Sequence, residues 1–435
     1  MTRSSDTIFA LSSGRLPSGV AVLRISGPDA RQGALRLAGT LPPARLARYG
    51  ALHHPSSGEL LDRALVLFFP GPRSATGEDT VELHLHGGPA VVAVVLRTLG
   101  DLPGFRPADP GEFTRRAHAH GKMDLAEVEG LADLIAAETE AQRRQALAQS
   151  AGALSRAVVG WRERLIRALA LVEATIDFAD EDDVPEDLTG PALHETGLLR
   201  AEIAAAVADG ERGERVRDGL VIAIAGPPNA GKSTLLNRLA GREAAIVSAV
   251  PGTTRDVLEV HLQLAGQAVT LVDTAGLRET EDAVEAEGVR RARARAGSAD
   301  LVLWLADDGT PAPSDLPGAL TVRTKSDAGE GGALAGGLAI SARTGAGMDA
   351  LLAEIERRAE TLGGGEPALV TRARQRAALG AALEHLDAAL AHGSGAEDLL
   401  AEHLRLSARA LDAVVGRVDV EDVLDALFRT FCIGK

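Results

Sequence analysis

Apolar positions follow two rhythms along this chain, and the points where one gives way to the other divide it. From about residue 122 to 212 they recur at spacings of three and four. Leu125, Val128, Leu131, Ala132 and Ile135 mark one buried stripe, and Trp161, Leu165, Ala168, Leu169 and Val172 mark another, as amphipathic helices require. The acidic stretch Asp177–Asp187, with Pro185 inside it, interrupts this block as a loop. The helical texture returns over 372–431, through Leu379, Leu383, Leu386, Leu390, Leu400, Leu404 and Leu411.

The other rhythm is short apolar runs ended by Gly and Pro. Near the start, Val20–Ile25, Ala64–Phe69 and Asp79–Leu85 predict strands and Pro89–Leu99 a helix. In the middle, Leu220–Ala225 is a continuous apolar strand followed by a glycine loop and the helix Lys232–Leu239. Strands are predicted at Val257–Leu264, Ala268–Val272, Leu301–Leu305 and Leu320–Arg323, and Gly363–Gly365 is a boundary. The expected architecture is multidomain α/β. An α+β domain spans 1–118 and a discontinuous helical domain spans 119–212 and 372–435. An α/β domain at 213–371 is inserted into the helical one. No internal repeat is visible.

Bulk chemistry narrows the classes. Aromatic residues are 3% of the chain, so cores must be built from Leu, Val, Ile and Ala. The net charge of −15 opposes coating of nucleic acid by bulk electrostatics. The single cysteine, Cys432, excludes an intrachain disulfide and fits a reducing cytoplasm. No apolar run approaches the ~18 residues of a membrane span, and the N-terminus lacks a signal core. A cytoplasmic protein is expected.

Gly226-Pro227-Pro228-Asn229-Ala230-Gly231-Lys232-Ser233 is a phosphate loop in the required context, after a strand and before a helix. Glycine lets the backbone approach closely, and consecutive amides at a helix N-terminus meet phosphate charge. Lys232 reaches the β- and γ-phosphates, the Ser233 hydroxyl ligates magnesium, and Thr234 continues the phosphate-facing turn. Asp273-Thr274-Ala275-Gly276 follows another apolar strand, its Asp placed to hold magnesium through water and its Gly amide to sense the γ-phosphate. Thr253-Thr254 lies between the two in a loop suited to closing over the ion.

Base identity rests on Thr324-Lys325-Ser326-Asp327 at the end of a later strand. The Asp327 carboxylate can accept both the ring N–H and the exocyclic amine of guanine, which adenine cannot offer, and an unpaired acceptor is costly. Ser341-Ala342-Arg343 completes a backbone-rich pocket, so GTP is expected ahead of ATP. Thr324 stands where Asn is usual. Its shorter arm predicts a weaker bridge to the phosphate loop, with selectivity kept by Asp327 and affinity somewhat lowered.

Leu277 stands where Ras-like GTPases carry the Gln that orients the attacking water. On spacing alone the acids Glu279, Glu281, Asp282, Glu285 and Glu287 are candidates for that work, though each taken singly reads first as a solvated helix charge.

Several signatures converge on one family. Leu23-Arg24-Ile25-Ser26-Gly27, Thr76-Gly77-Glu78-Asp79, His86-Gly87-Gly88-Pro89, Pro110-Gly111-Glu112-Phe113-Thr114-Arg115-Arg116-Ala117 and Lys122-Met123-Asp124-Leu125 are similar to the MnmE (TrmE) family of tRNA-modification GTPases. So are Gly252-Thr253-Thr254-Arg255-Asp256 and the ending Phe431-Cys432-Ile433-Gly434-Lys435. The resemblance covers essentially the whole chain. It implies an N-terminal domain that binds a formyl- or methylene-tetrahydrofolate and mediates homodimerisation, with Arg24, Glu82, Lys122 and Lys435 at the folate. Without the family, Arg24 and Glu82 would be taken as a strand ion pair. His84 and His86 share one strand face, but two histidines without a third ligand do not make a metal site.

The resemblance also implies a potassium ion in place of an arginine finger, held by Asn229, Ser248, Val250 and Thr253, with Ser248 replacing the commoner Thr. Thr254 then takes the magnesium role with Ser233, and Glu285 positions the attacking water. Cys432 is open to two readings, a buried inert thiol or a group in the modification chemistry. The expected partner is the flavoprotein MnmG (GidA), in a heterotetramer acting on tRNA, with no membrane. The product is an aminomethyl or carboxymethylaminomethyl group at C5 of the wobble uridine. The rival expectation is an Era- or Der-like regulatory GTPase for ribosome assembly. It accounts for the central domain but not for the N-terminal signatures or the chain ending.

Overall fold

A computed structural model describes residues 6–177, 188–241, 259–273, 299–316, 318–328, 338–417, 421–431 and 434. The chain divides into two compact units. One is formed by Met1–Ala132, Ser155–Arg162 and Ala408–Lys435, the other by Asp133–Leu154 and Glu163–Ser407.

The first unit carries a six-stranded sheet from β1 (Thr7–Leu11), β2 (Ser18–Ser26), β3 (Ala47–His53), β4 (Leu60–Phe69), β5 (Thr80–Gly87) and β6 (Phe105–Pro107), ordered β3-β4-β5-β2-β1-β6. Only β1 and β6 pair in parallel. Alternation along β2 and β5 sends Leu23, Ile25, Leu83 and Leu85 into the core. There they meet Val92, Val95 and Leu99 of α2 (Pro89–Gly100). The same alternation leaves Arg24 directly opposite Glu82 on the other face. Helix α1 (Ala30–Ala38) packs tightly enough that a Cβ at Gly33 would lie 2.3 Å from the Phe105 ring.

Beside this core lies a buried ionic network. In α3 (Glu112–Ala119) the side chains of Glu112 and Arg116 are only 6% and 8% exposed. Arg116 donates to Glu112 at 3.0 Å and to both Glu78 oxygens at 3.1 Å, while Arg106 donates to Glu112 at 2.6 and 2.8 Å. Ser26 Oγ donates to Glu78 at 2.8 Å. Burial alone would raise the Glu112 pKa. The donors Arg106, the Asp109 backbone N–H and Arg116 outweigh it and hold the group at about 2. A smaller cluster packs Leu125 and Val128 of α4 (Leu125–Ala136) against Leu427 and Phe428 of α12 (Glu421–Thr430) and Phe431. Further on, the Gly434 carbonyl accepts from Ser12 Oγ at 2.8 Å, placing that end of the chain beside β1.

The second unit holds long helices and a second sheet. Helices α5 (Glu140–Ser150) and α7 (Thr189–Asp218) precede the sheet and α10 (Ala373–His392) follows it, while α6 (Ala153–Asp177) and α11 (Glu397–Val414) are shared between the two units. Helix α7 runs through Gly210 and Gly213, where the stripe pattern weakens. A Cβ at 213 would lie 2.1 Å from the Val370 carbonyl, so glycine permits that close strap. Gln145 and Gln149 pin it by donating to the carbonyls of Gly213, Ala368 and Leu369.

The sheet comprises β7 (Leu220–Ala225), β8 (Glu259–Leu264), β9 (Gln267–Asp273), β10 (Leu301–Ala306), β11 (Leu320–Arg323) and β12 (Leu338–Ala339), ordered β12-β11-β10-β7-β9-β8. All pairs are parallel except β8 with β9. Helices α8 (Lys232–Ala240) and α9 (Met348–Gly363) pack on it through Leu235, Leu236, Leu239, Leu351 and Ile355. The order reverses at β7, which lies between β9 and β10. An open parallel sheet places its ligand crevice at the carboxyl ends of strands at such a switch point. Among the described residues no helix is long and apolar enough to cross a membrane.

Candidate functional site

The carboxyl ends of β7, β9, β10 and β11 gather the motif residues. The phosphate loop leaves β7 through Gly226 at φ +149°, where a Cβ would lie 2.1 Å from the Leu305 carbonyl. No other residue fits there without moving β10. The loop turns at Asn229, at φ +61°, and enters α8 through Gly231, at φ +90°. Left-handed turns of this kind ahead of a helix N-terminus are the backbone setting in which amides can receive an anion. Ala230 is buried, while Asn229, Ser233 and Thr234 are exposed. Lys232 folds back along the loop, its Nζ donating to the carbonyls of Gly226 at 2.8 Å and Pro227 at 2.9 Å. Burial pushes its ammonium below the ordinary value, and Asp273 works against that shift.

At the other side of the loop, Ser233 Oγ donates to Asp273 Oδ2 at 3.3 Å. A hydroxyl and a carboxylate converging from separate elements match the hard oxygen donors magnesium takes. Asp273 is the last residue of β9, so strand pairing with β7 fixes its position.

The base-recognition segment follows β11. Thr324 is buried, and its hydroxyl donates to the Ala230 carbonyl at 2.7 Å. The shorter arm thus spans from this segment to the phosphate loop with one good hydrogen bond. Lys325, at φ +54°, extends its Nζ to Asp307 at 2.9 Å. Ser341 is fully buried and closes a tight turn, its N–H donating to the Ala346 carbonyl and its hydroxyl accepting from Thr344 N–H at 3.1 Å. Ala342 is partly buried beside it. The Ser341 hydroxyl and the Arg343 guanidinium hold the Asp327 carboxyl below its usual range. Arg343 donates to Asp327 Oδ2 from Nε at 2.9 Å and Nη2 at 2.6 Å.

Sequence reasoning missed Asp307. An acid just beyond the carboxyl end of an apolar strand at the switch point was the signal that would have found it. The expectations at Ser248, Val250, Thr253, Thr254, Thr274, Ala275, Gly276, Leu277, Glu285, Cys432 and Lys435 lie outside the described residues.

The N-terminal positions lie in the other unit. Arg24 donates to Glu82 Oε1 from Nε at 3.1 Å and Nη2 at 2.9 Å, and its guanidinium lies 5.7 Å from the centre of the Phe113 ring. The pair is half-buried, with side chains 25% and 18% exposed. His84 approaches Glu82 at 3.4 Å, whereas His86 Nδ1 pairs with Asp62 at 2.7 Å. Lys122 is exposed, its backbone N–H donating to the Ala117 carbonyl.

Comparison with known proteins agrees along the whole length. Residues 125–432 match the MnmE helical domain, and residues 7–122 match the GTP-binding protein TrmE N-terminus. The chain is 76% identical over 435 residues to the tRNA modification GTPase MnmE of Azorhizobium caulinodans, covering all of both chains. It is 56% identical over 435 residues to that of Methylorubrum populi, covering 99% of this chain and 98% of the relative. It is 52% identical over 443 residues to that of Rhodopseudomonas palustris, with both chains fully covered. A phosphate loop and a converging hydroxyl–carboxylate pair at the carboxyl ends of one parallel sheet, in a chain so matched, mean that it belongs to the MnmE family of tRNA modification GTPases.

Proposed function

We propose that this GTP hydrolase is potassium-dependent and works with the flavoprotein MnmG (GidA). Together they install aminomethyl or carboxymethylaminomethyl groups at C5 of the wobble uridine in tRNA. The observation that carries the reading is the gathering of Lys232, Ser233, Asp273 and Asp327 at one end of the second sheet, in a full-length member of this family. Ser233 and Thr254 would hold magnesium, with Asp273 behind them through water. Asn229, exposed at the turn of the loop, would share potassium with Ser248, Val250 and Thr253. A cation beside the transferring phosphoryl offsets developing charge, the work an arginine finger does elsewhere. Glu285 would position the attacking water, because Leu277 cannot. The amides of Thr274, Ala275 and Gly276 would face the γ-phosphate.

Tetrahydrofolate would supply the one-carbon unit. The donor set fits it: the guanidinium of Arg24 and the carboxylate of Glu82 offer complementary partners to a pterin's polar edge, and Phe113 lies beside them. The placement of Gly434 against Ser12 supports Lys435 reaching the same area, with Lys122 exposed nearby in sequence to α3. We take 1–118 as the folate-binding and dimerisation domain, 119–212 with 372–435 as the helical domain, and 213–371 as the GTPase domain. GTP hydrolysis would then drive conformational change in a cytoplasmic homodimer, since the GTP and folate positions belong to separate units. Cys432, near the chain end, keeps both readings, an inert thiol or a group in the modification chemistry, and is given no step. Mass analysis of wobble nucleosides from a strain lacking this protein tests the reading. Loss of the C5 modification is expected, and unchanged modification contradicts it.

A further inference from the structure

The base-reading carboxylate is held by a side chain that offers the same donors as the base. Arg343 places Nε and Nη2 at 2.9 and 2.6 Å from Asp327 Oδ2. Two N–H groups in a planar fork are also what guanine presents through its ring N–H and exocyclic amine. Both cannot occupy that oxygen together. The Arg343 side chain is 80% exposed against 18% for that of Asp327, so the arginine has the freer path away from the pair. Asp327 is fixed from below: Ser326 N–H donates to the Ile340 carbonyl at 3.0 Å, and the fully buried Ser341 supports the carboxylate.

We propose that Arg343 is a displaceable surrogate for guanine, pairing Asp327 until a base arrives and taking it back as the base leaves. The proposal rests on the reading of Asp327 as the base-recognising group. It makes Arg343 a determinant of affinity and exchange rate, not of base identity. The arginine gives the carboxylate a partner again at the end of each cycle. Nucleotide release is thereby assisted from within the chain. Because the pair is exposed, its hold is small and screened by salt.

The test uses the full-length chain with fluorescent GDP and XDP at low and high ionic strength. Arg343→Ala should tighten GDP binding by about two- to five-fold, with slower release or faster association, and the gain should shrink at high salt. Arg343→Lys, a single-point donor, should fall between the two. In an Asp327→Asn background, which should transfer preference from GDP to XDP, Arg343→Ala should have no further effect. Weaker GDP binding by Arg343→Ala would show that the side chain supports the nucleotide, and unchanged binding that the pair is idle. Either result overturns the proposal while leaving Asp327 its role. Full GDP preference in Asp327→Asn would overturn the reading of Asp327 itself, and the proposal with it.

Discussion

Two sets of signature residues look alike as strings and do opposite things. In the first unit, Glu78 and the segment Glu112–Arg116 close on themselves. Their charges meet one another and Arg106, and both Glu112 and Arg116 are almost wholly buried. In the second unit, the motif residues stand at the carboxyl ends of strands. Lys232 rests on loop carbonyls, Ser233 is exposed, and Asp327 is held by an exposed arginine. A self-satisfied network builds a scaffold, whereas polar groups resting on exchangeable partners are available to a ligand. A conspicuous motif therefore announces that residues are constrained, and only the geometry says by what.

Substitutions should separate the two kinds sharply. Lys232→Ala should lower kcat/KM for GTP by about 10²–10³-fold with unchanged circular dichroism and melting temperature, since among the described residues its amine donates only to loop carbonyls. Glu112→Ala should do the reverse. Removing one partner of a buried charge network costs about 3–5 kcal/mol, read by denaturant unfolding of the first unit, with GTP turnover retained. A Glu112→Ala variant of normal stability but poor turnover would erase the distinction.

The network also predicts a pH signature of smaller size. Glu112 has its pKa depressed from the ordinary 4.5 to about 2. Its contribution to stability is therefore complete above pH 4.5 and is lost as pH falls through that value toward 2. Acid titration of unfolding should show this slope in the wild type and lose it in Glu112→Gln. The smallest effect belongs to Thr324. Thr324→Val should weaken GTP binding by about five-fold, the worth of a buried hydrogen bond of ~1 kcal/mol, while Thr324→Ser holds wild-type affinity in the same titration. Equal affinities for all three would mean the 2.7 Å bond to Ala230 does nothing for the loop.

Legibility in the sequence followed burial. Strands packed through an apolar face, such as β2 and β7, were plain because their side chains carry the pattern. Strand β3 lies at a sheet edge and is mostly exposed, with Leu52 its one buried residue, so its apolar positions mark no core face. Strand β1 is nearly all buried but only five residues long, too short for alternation to register. Helix α7 hides part of its run because Gly210 and Gly213, helix-weakening by propensity, are required by the strap at Val370. At the site, the phosphate loop, Asp273 and Asp327 were visible because their chemistry demands fixed spacing. Asp307 and the donor fork of Arg343 on Asp327 were not, since each depends on which residues the sheet brings together across long stretches of chain. The expected weakness at Thr324 was argued from arm length alone, and the structure supplies the missing fact that Ala230 is within its reach.

The most direct measurement is a binding titration of GTP against ATP with the full-length protein and with Asp327→Ala. If the second sheet carries a guanine-reading site, the wild type should favour GTP by about 10²-fold or more, and Asp327→Ala should bring the two nucleotides together. Equal affinity for GTP and ATP in the wild type would contradict the account at its centre.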